Sequence, residues 1–204
     1  NWLTGSRYWD GLGPSLSPGE QWWWTRQTET KRNGNAAMEG RLEDAPCGAS
    51  DASTTNGLLA EYFDNNGVSY NVSTMVNLSG RTPDFSRHEP NIDWPSTTNL
   101  WTGLDSRFLD YWSARHTGII HIPSDGNWTF YLISDDGSKL WIDDIEVVDN
   151  QGHHGMRERS GVVWLEAGEH ALRTEFFEHG GHAGLQLKWE GPGVTKQTVP
   201  TNVL

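Results

Sequence analysis

Two consecutive carboxylate pairs, Asp135-Asp136 and Asp143-Asp144, are the residues of this chain whose type and spacing most readily do chemistry. Such a pair has two readings. Asp is common in turns, where both side chains are simply solvated. The pair can also supply hard oxygen ligands to a divalent ion. Calcium takes about 6–8 oxygens at about 2.3–2.6 Å and favours carboxylates. In an extended strand adjacent side chains point to opposite faces, so a regular strand would not aim both acids at one ion. Gly137 follows the first pair and frees the backbone to turn. Eight His residues raise a zinc alternative, with His153-His154 and His179-x-x-His182 as ligands. Neither spacing is a known zinc signature, and no second Cys exists to complete a site. Among 27 acidic residues no pair stands out as a hydrolytic acid and nucleophile, and no Gly-x-Ser-x-Gly elbow occurs. The chain reads as a binding protein, not an enzyme.

The elements that must position these residues are strands. Trp128, Phe130 and Leu132 alternate with Thr129, Tyr131 and Ile133. His170, Leu172, Thr174 and Phe176 alternate with Ala171, Arg173, Glu175 and Phe177, and Leu185, Leu187 and Trp189 with Gln186 and Lys188. Period-two alternation in successive short runs marks half-buried antiparallel strands. Further strands are expected at Leu58–Phe63, His116–Ile122, Lys139–Val148 and Val162–Glu166. Pro123 to Gly126, Asp135 to Gly137 and Ala167-Gly168 supply turns. Three Pro residues place long loops in 79–106. Two such sheets must cover each other, so the fold class is all-β, an antiparallel β-sandwich. No long amphipathic helix is evident. In the run from Lys139, Leu140 and Ile142 share one face and Trp141 takes the other.

Composition bounds the partners. The 204 residues suffice for one β-domain and an appendage. Net charge is −12, which argues against nucleic acid and suits hard cations. No stretch approaches the roughly 20 apolar residues of a membrane span. Trp occurs 12 times and Gly 23 times. At least half of the Trp are expected in the core, while Trp101 and Trp112, near loops, are candidates for stacking on a ligand.

Residues 1–56 form a Trp- and Gly-rich N-terminal extension, with 47–56 reading as a linker. Trp2, Tyr8, Trp9 and Trp22 to Trp24 are too apolar for a disordered tail. Residues 57–204 form the sandwich domain. The single Cys47 permits no internal disulfide and leaves a free thiol or a bond to another chain. The start at Asn1-Trp2 fits a mature product or a fragment, with no signal peptide visible. Sequons at Asn71, Asn77 and Asn127 lean towards glycosylation and a secreted or cell-surface setting.

The run Phe130-Tyr-Leu-Ile-Ser-Asp-Asp-Gly-Ser-Lys-Leu-Trp-Ile-Asp143 resembles the protective-antigen ("PA fourteen") domain family. Further blocks follow in family order: Val147 to Gly155, Glu158 to Gly161, Leu165 to His170, Phe176 to Gly181 and Ala183 to Gly193. Gly57 to Phe63 resembles the opening strand. The resemblance covers about 57–204 and implies a β-sandwich that is usually non-catalytic and often sugar-binding. It implies that Asp135-Asp136 are joined by a cis peptide and hold one calcium ion with both side chains. It also implies a second ligand-bearing loop at Glu178, His179, Gly180, Gly181, His182 and Ala183. Its carbonyls would face the ion, and His179 and His182 would reach a sugar hydroxyl. Sugar-binding yeast members place an Asn in that loop, and none is present here. His154 matches a His often seen in the family's neighbouring loop and is expected to hydrogen-bond loop backbone near the site. Asp144 takes the place of a family Gly, so the second acidic pair is a turn with Asp144 left-handed.

These readings give a calcium-dependent carbohydrate-binding module of lectin or adhesin type. Its partner would be a glycan or cell-surface polysaccharide. Two alternatives stand beside it. One is a structural assembly module of an extracellular filament or matrix, self-associating or binding another protein through 1–56 and Cys47. The other is the non-catalytic module of a glycosidase.

Overall fold

A computed structural model describes residues 56–204. The N-terminal extension, with Cys47 and the linker, lies outside the described residues apart from Asn56. Among the described residues there are eleven strands: β1 (Leu58–Asp64), β2 (Phe85–Glu89), β3 (Asp93–Thr97), β4 (Trp112–Ile122), β5 (Gly126–Asp135), β6 (Ser138–Ile142), β7 (Ile145–Asn150), β8 (Arg157–Leu165), β9 (Gly168–Glu178), β10 (Ala183–Gly191) and β11 (Val194–Thr198). One sheet has the order β2-β1-β4-β9-β6-β7 and the other β11-β10-β5-β8. The short β3 pairs with the first half of β10 and β11 with its second half. All these pairings are antiparallel, and the two sheets form the expected sandwich. No helix among the described residues is long and apolar enough to cross a membrane.

The alternation seen in sequence decides which side of each strand is buried. Trp128, Phe130 and Leu132 of β5 and Leu185, Leu187 and Trp189 of β10 line one inner face. Leu58, Ala60 and Tyr62, with Leu140, Ile142, Leu172 and Phe176, line the other. Each large apolar side chain buried here contributes about 1.5–3 kcal/mol. Trp141 sits on the outer face of β6, covered by the Arg173 guanidinium 4.0 Å above its ring.

Two expectations need correction. The 79–106 region is not all loop, because it contains β2 and β3. Both are sheet edges: β2 turns Phe85 and the charged Arg87 and Glu89 inward, while β3 is mostly exposed and carries Pro95, which only an edge strand tolerates. Trp101 and Trp112 do not stack on a ligand. Both are buried, and their rings meet edge-on at 4.8 Å. Of the seven Trp among the described residues, Trp101, Trp112, Trp128 and Trp189 are core.

Asp143 and Asp144 are both left-handed, at φ 49° and 62°, and close the β6–β7 hairpin. That backbone is the turn with two positive-φ positions that suits a two-residue hairpin. The Asp143 carboxylate accepts the Ala171 N–H at 2.8 Å and faces His170 Nδ1 at 2.6 Å.

The sheet also buries a charged network. Glu89 accepts from Arg87 Nη2 at 2.7 Å, from Trp94 Nε1 at 2.9 Å and from the Tyr62 hydroxyl, and His116 Nε2 lies 3.3 Å away.

Candidate metal centre

Two connections cross from one sheet to the other at the same end of the sandwich. Asp136-Gly137 joins β5 to β6, and residues 179–182 join β9 to β10. Pairing locks them side by side: Asp135 lies opposite Gly184, and Ser138 opposite Phe176. The Phe177 N–H donates to the Gly137 carbonyl at 2.9 Å. The Asp135-Asp136 peptide is cis.

Beneath this turn the support is polar and buried. Ser134 Oγ lies 2.7 Å from Ser138 Oγ, and Asn150 Nδ2 donates to Ser134 Oγ at 2.9 Å. Arg157 Nε in turn donates to Asn150 Oδ1 at 2.8 Å. Gly137 is required for room. Its φ is not positive, but a Cβ there would lie 2.4 Å from the Phe177 ring and 2.9 Å from backbone atoms of Gly152.

The turn brings three carboxylates together. Asp135, Asp136 and Glu178 each offer an oxygen, and these atoms lie within 4.8 Å of one another. Asp136 and Glu178 are buried and Asp135 is half-buried. Among the described residues no imidazole belongs to this set. The donors are all oxygen, the choice of a hard cation such as calcium rather than zinc.

Hydrogen bonds fix the acids. The N–H groups of His154 and His179 donate to Oδ1 and Oδ2 of Asp136 at 2.9 and 2.8 Å. Glu178 accepts the Gly180 N–H on Oε1, while its buried Oε2 has no hydrogen-bond partner. Two like charges no more than 4.8 Å apart repel by at least about 3.5 kcal/mol at an effective dielectric near 20. Burial, then the charges of Asp136, Asp135 and Asp110, push the Glu178 carboxyl up to about 9. Burial and Asp136 likewise raise Asp135. A buried unpaired carboxylate oxygen beside two more acids is an unfavourable arrangement that a bound divalent cation relieves. The residues present therefore fit such an ion.

The other expected site residues take lesser parts. The ring of His154 is turned to backbone, with Nε2 2.9 Å from the Asn150 carbonyl and Nδ1 2.9 Å from that of Gly155. The Gly181 N–H reaches Asp110 Oδ1 at 3.1 Å. Gly180 and Gly181 have φ of 144° and 105°, which other residues rarely adopt. His182 is exposed, and its charge favours the ionised form of Asp135. His153 and His179 do converge, with ring centroids 5.4 Å apart. Their neighbours Tyr70 and Tyr111 carry no local sequence signal, yet Tyr70 Oη lies 3.1 Å from His179 Nδ1. Burial raises the Tyr70 phenol, and the charges of Asp136 and Glu178 raise it further.

Comparison with known proteins agrees with this fold. The model of the PA14 domain family matches residues 54–202, and the chain belongs to that family. The anti-sigma-I factor RsgI3 of Acetivibrio thermocellus is 28% identical over 155 residues, which are 74% of this chain. The chain spans only 21% of that relative's length. An anti-sigma factor domain-containing protein from Clostridium clariflavum is 27% identical, with TM-score 0.61, over 72% of this chain and 46% of that one. A PA14 sugar-binding domain from an RTX adhesin shares the fold, with TM-score 0.61 and 20% identity over 72% of this chain and 97% of that one.

Proposed function

We propose that this PA14 domain is a non-catalytic, calcium-dependent carbohydrate-binding module that works outside the cytoplasm. The observation that carries the reading is the acid cluster, above all the buried and unpartnered Oε2 of Glu178 beside Asp135 and Asp136. Asp135, Asp136 and Glu178 would hold the ion. Calcium would supply open coordination positions at which two vicinal sugar hydroxyls replace water. The chain's own work is to hold the acids in place: His154 and His179 each restrain one oxygen of Asp136 by a backbone N–H. A sugar-binding domain of an adhesin with the same fold supports the ligand class. The asparagines of the three sequons, Asn71, Asn77 and Asn127, are all exposed, as glycosylation in a secreted chain requires.

A second reading concerns setting rather than chemistry. Two relatives are anti-sigma factor proteins that extend well beyond the matched region. The same binding event would then be the input to a longer regulatory protein.

The test is a glycan array probed with the full chain in calcium and in chelator. Calcium-dependent spots that vanish in Asp135→Ala and Asp136→Ala are expected. Spots indifferent to calcium and to both substitutions would overturn the reading.

A further inference from the structure

Three consecutive backbone amides of the β9–β10 loop each donate to a different carboxylate. The His179 N–H goes to Asp136 Oδ2 at 2.8 Å, the Gly180 N–H to Glu178 Oε1 and the Gly181 N–H to Asp110 Oδ1 at 3.1 Å. A run of successive N–H groups is a backbone device for holding anions. Two of the acceptors, Asp136 and Glu178, belong to the cation cluster. Asp110 does not, and it comes from a different part of the chain, the segment before β4.

Sheet pairing explains why Asp110 is there. Trp112 and Glu178 are the outermost pair of β4 and β9 at this end. Carried past the strand ends, the same register sets Asp110 against Gly180. A Cβ on Gly180 would lie 3.8 Å from Asp110 Oδ1, so the two segments stay close beyond the sheet. The neighbouring Tyr111 fixes the segment. It is held at φ 57°, its carbonyl accepts the Asn65 N–H at 2.7 Å, and its ring meets that of His179 edge-on with centroids 5.2 Å apart. A bulky residue at positive φ marks a position the surroundings enforce.

The loop needs such an anchor. Gly180 and Gly181 have φ of 144° and 105°, and glycine loses more freedom on ordering than any other residue. Gly181 is exposed, so without Asp110 its N–H is left to water. The adjoining amides of His179 and Gly180 restrain oxygens of Asp136 and Glu178. Freedom at Gly181 is therefore freedom for two of the three clustered acids. Asp110 also adds charge: after burial and the charges of Asp136 and Asp135, it is a further cause of the raised Glu178 carboxyl. That charge would attract a cation too, so acceptor and charge are separate contributions.

We propose that Asp110 is a positioning residue of the cation site. Its carboxylate holds the Gly181 N–H and so presets the β9–β10 loop for calcium without touching the ion. The proposal rests on the reading of Asp135, Asp136 and Glu178 as the ligands of that ion.

Calcium titration calorimetry on the full chain at neutral pH tests it, together with melting temperatures in chelator. Asp110→Asn keeps an acceptor oxygen for Gly181 and drops the charge, while Asp110→Ala drops both. Asp110→Ala should bind calcium at least about fivefold more weakly than wild type. Asp110→Asn should recover most of that loss. In chelator both variants should melt within about 3 °C of wild type, because a solvated hydrogen bond contributes little to the fold. A smaller loss in Asp110→Ala overturns the proposal. So does Asp110→Asn lying closer to Asp110→Ala than to wild type, since the contribution is then one of charge. A larger fall of the Asp110→Ala melting temperature in chelator also overturns it, because the residue is then a prop of the fold. All three leave the cation site standing, whereas a wild-type chain that takes up no calcium overturns that site and the proposal with it.

Discussion

The backbone N–H of His179 donates to Oδ2 of Asp136 at 2.8 Å, so the two connections that cross between the sheets are joined at a carboxylate. The other oxygen of Asp136 receives the His154 N–H at 2.9 Å. One side chain thus ties together the β5–β6 turn, the β7–β8 loop and the β9–β10 loop.

Asp136→Asn tests that arrangement. The amide offers one acceptor oxygen to two N–H donors, so one donor loses its partner. An unsatisfied buried donor costs about 1–3 kcal/mol. The variant should be destabilised by that amount in chelator, and calcium should no longer raise its melting temperature. Thermal unfolding with and without calcium measures both effects.

Glu178 makes the site proton-linked. Its folded value is raised from 4.5 to about 9, so between those limits the unfolded chain ionises a group that the folded chain keeps protonated. Calcium-free stability must therefore fall as pH rises through that window. Asp135 shifts in the same direction. In chelator the melting temperature should drop from about pH 5 to about pH 8.5. In calcium the drop should be largely abolished, because the ion takes the proton's place. Calcium affinity should rise with pH, by up to about tenfold per unit. Glu178→Gln should flatten the pH dependence in chelator and lower calcium affinity at about pH 8.

The strands of the core and the acidic pair were legible in the sequence for physical reasons. Trp128, Phe130 and Leu132 alternate because β5 has one dry face, and Asp135-Asp136 stand in a run of recognisable order. Strands β2 and β3 were not legible, because Phe85–Glu89 turns the charged Arg87 and Glu89 inward beside Phe85, so its burial alternates without an apolar alternation, and β3 is mostly exposed. Gly137 reads in sequence as freeing the backbone to turn, whereas the structure needs it for room: the Phe177 ring and Gly152 leave no space for a Cβ, and no special φ is involved. Tyr70 and Tyr111 were not legible at all. They meet His179 only because β1, β4 and β9 are sheet neighbours, and nothing local announces a contact between three loops.

Away from the site, Glu89 governs acid stability. Burial alone would raise its carboxyl, but hydrogen bonds and charge from His116, with bonds from Tyr62 and Trp94, outweigh that and hold it at about 2. A depressed folded value means stability that is present above about pH 4.5 and lost as pH falls towards 2. Removing one partner of a buried ionic cluster costs about 3–5 kcal/mol. Glu89→Gln should show that loss at neutral pH, and its stability should vary less than wild type's between about pH 4.5 and pH 2. Denaturant unfolding across that range decides it.

Gly137→Ala separates room from flexibility. The backbone there needs no glycine conformation, so an Ala is penalised only through its Cβ. That atom would sit 2.4 Å from Phe177 Cε1, on a ring that is fully buried, and 2.9 Å from the N and O of Gly152. Neither neighbour can move far: Phe177 is bonded through its N–H to the Gly137 carbonyl, and Gly152 is backbone. Overpacking of this kind costs about 1–3 kcal/mol. The strain falls on the residue next to Asp136, so the variant should fold, melt at lower temperature and bind calcium at least about tenfold more weakly. Gly155→Ala is the control, since a Cβ there meets nothing within 4 Å. Equal melting temperatures and equal calcium affinities for the two variants would show that the site tolerates a shift of the turn.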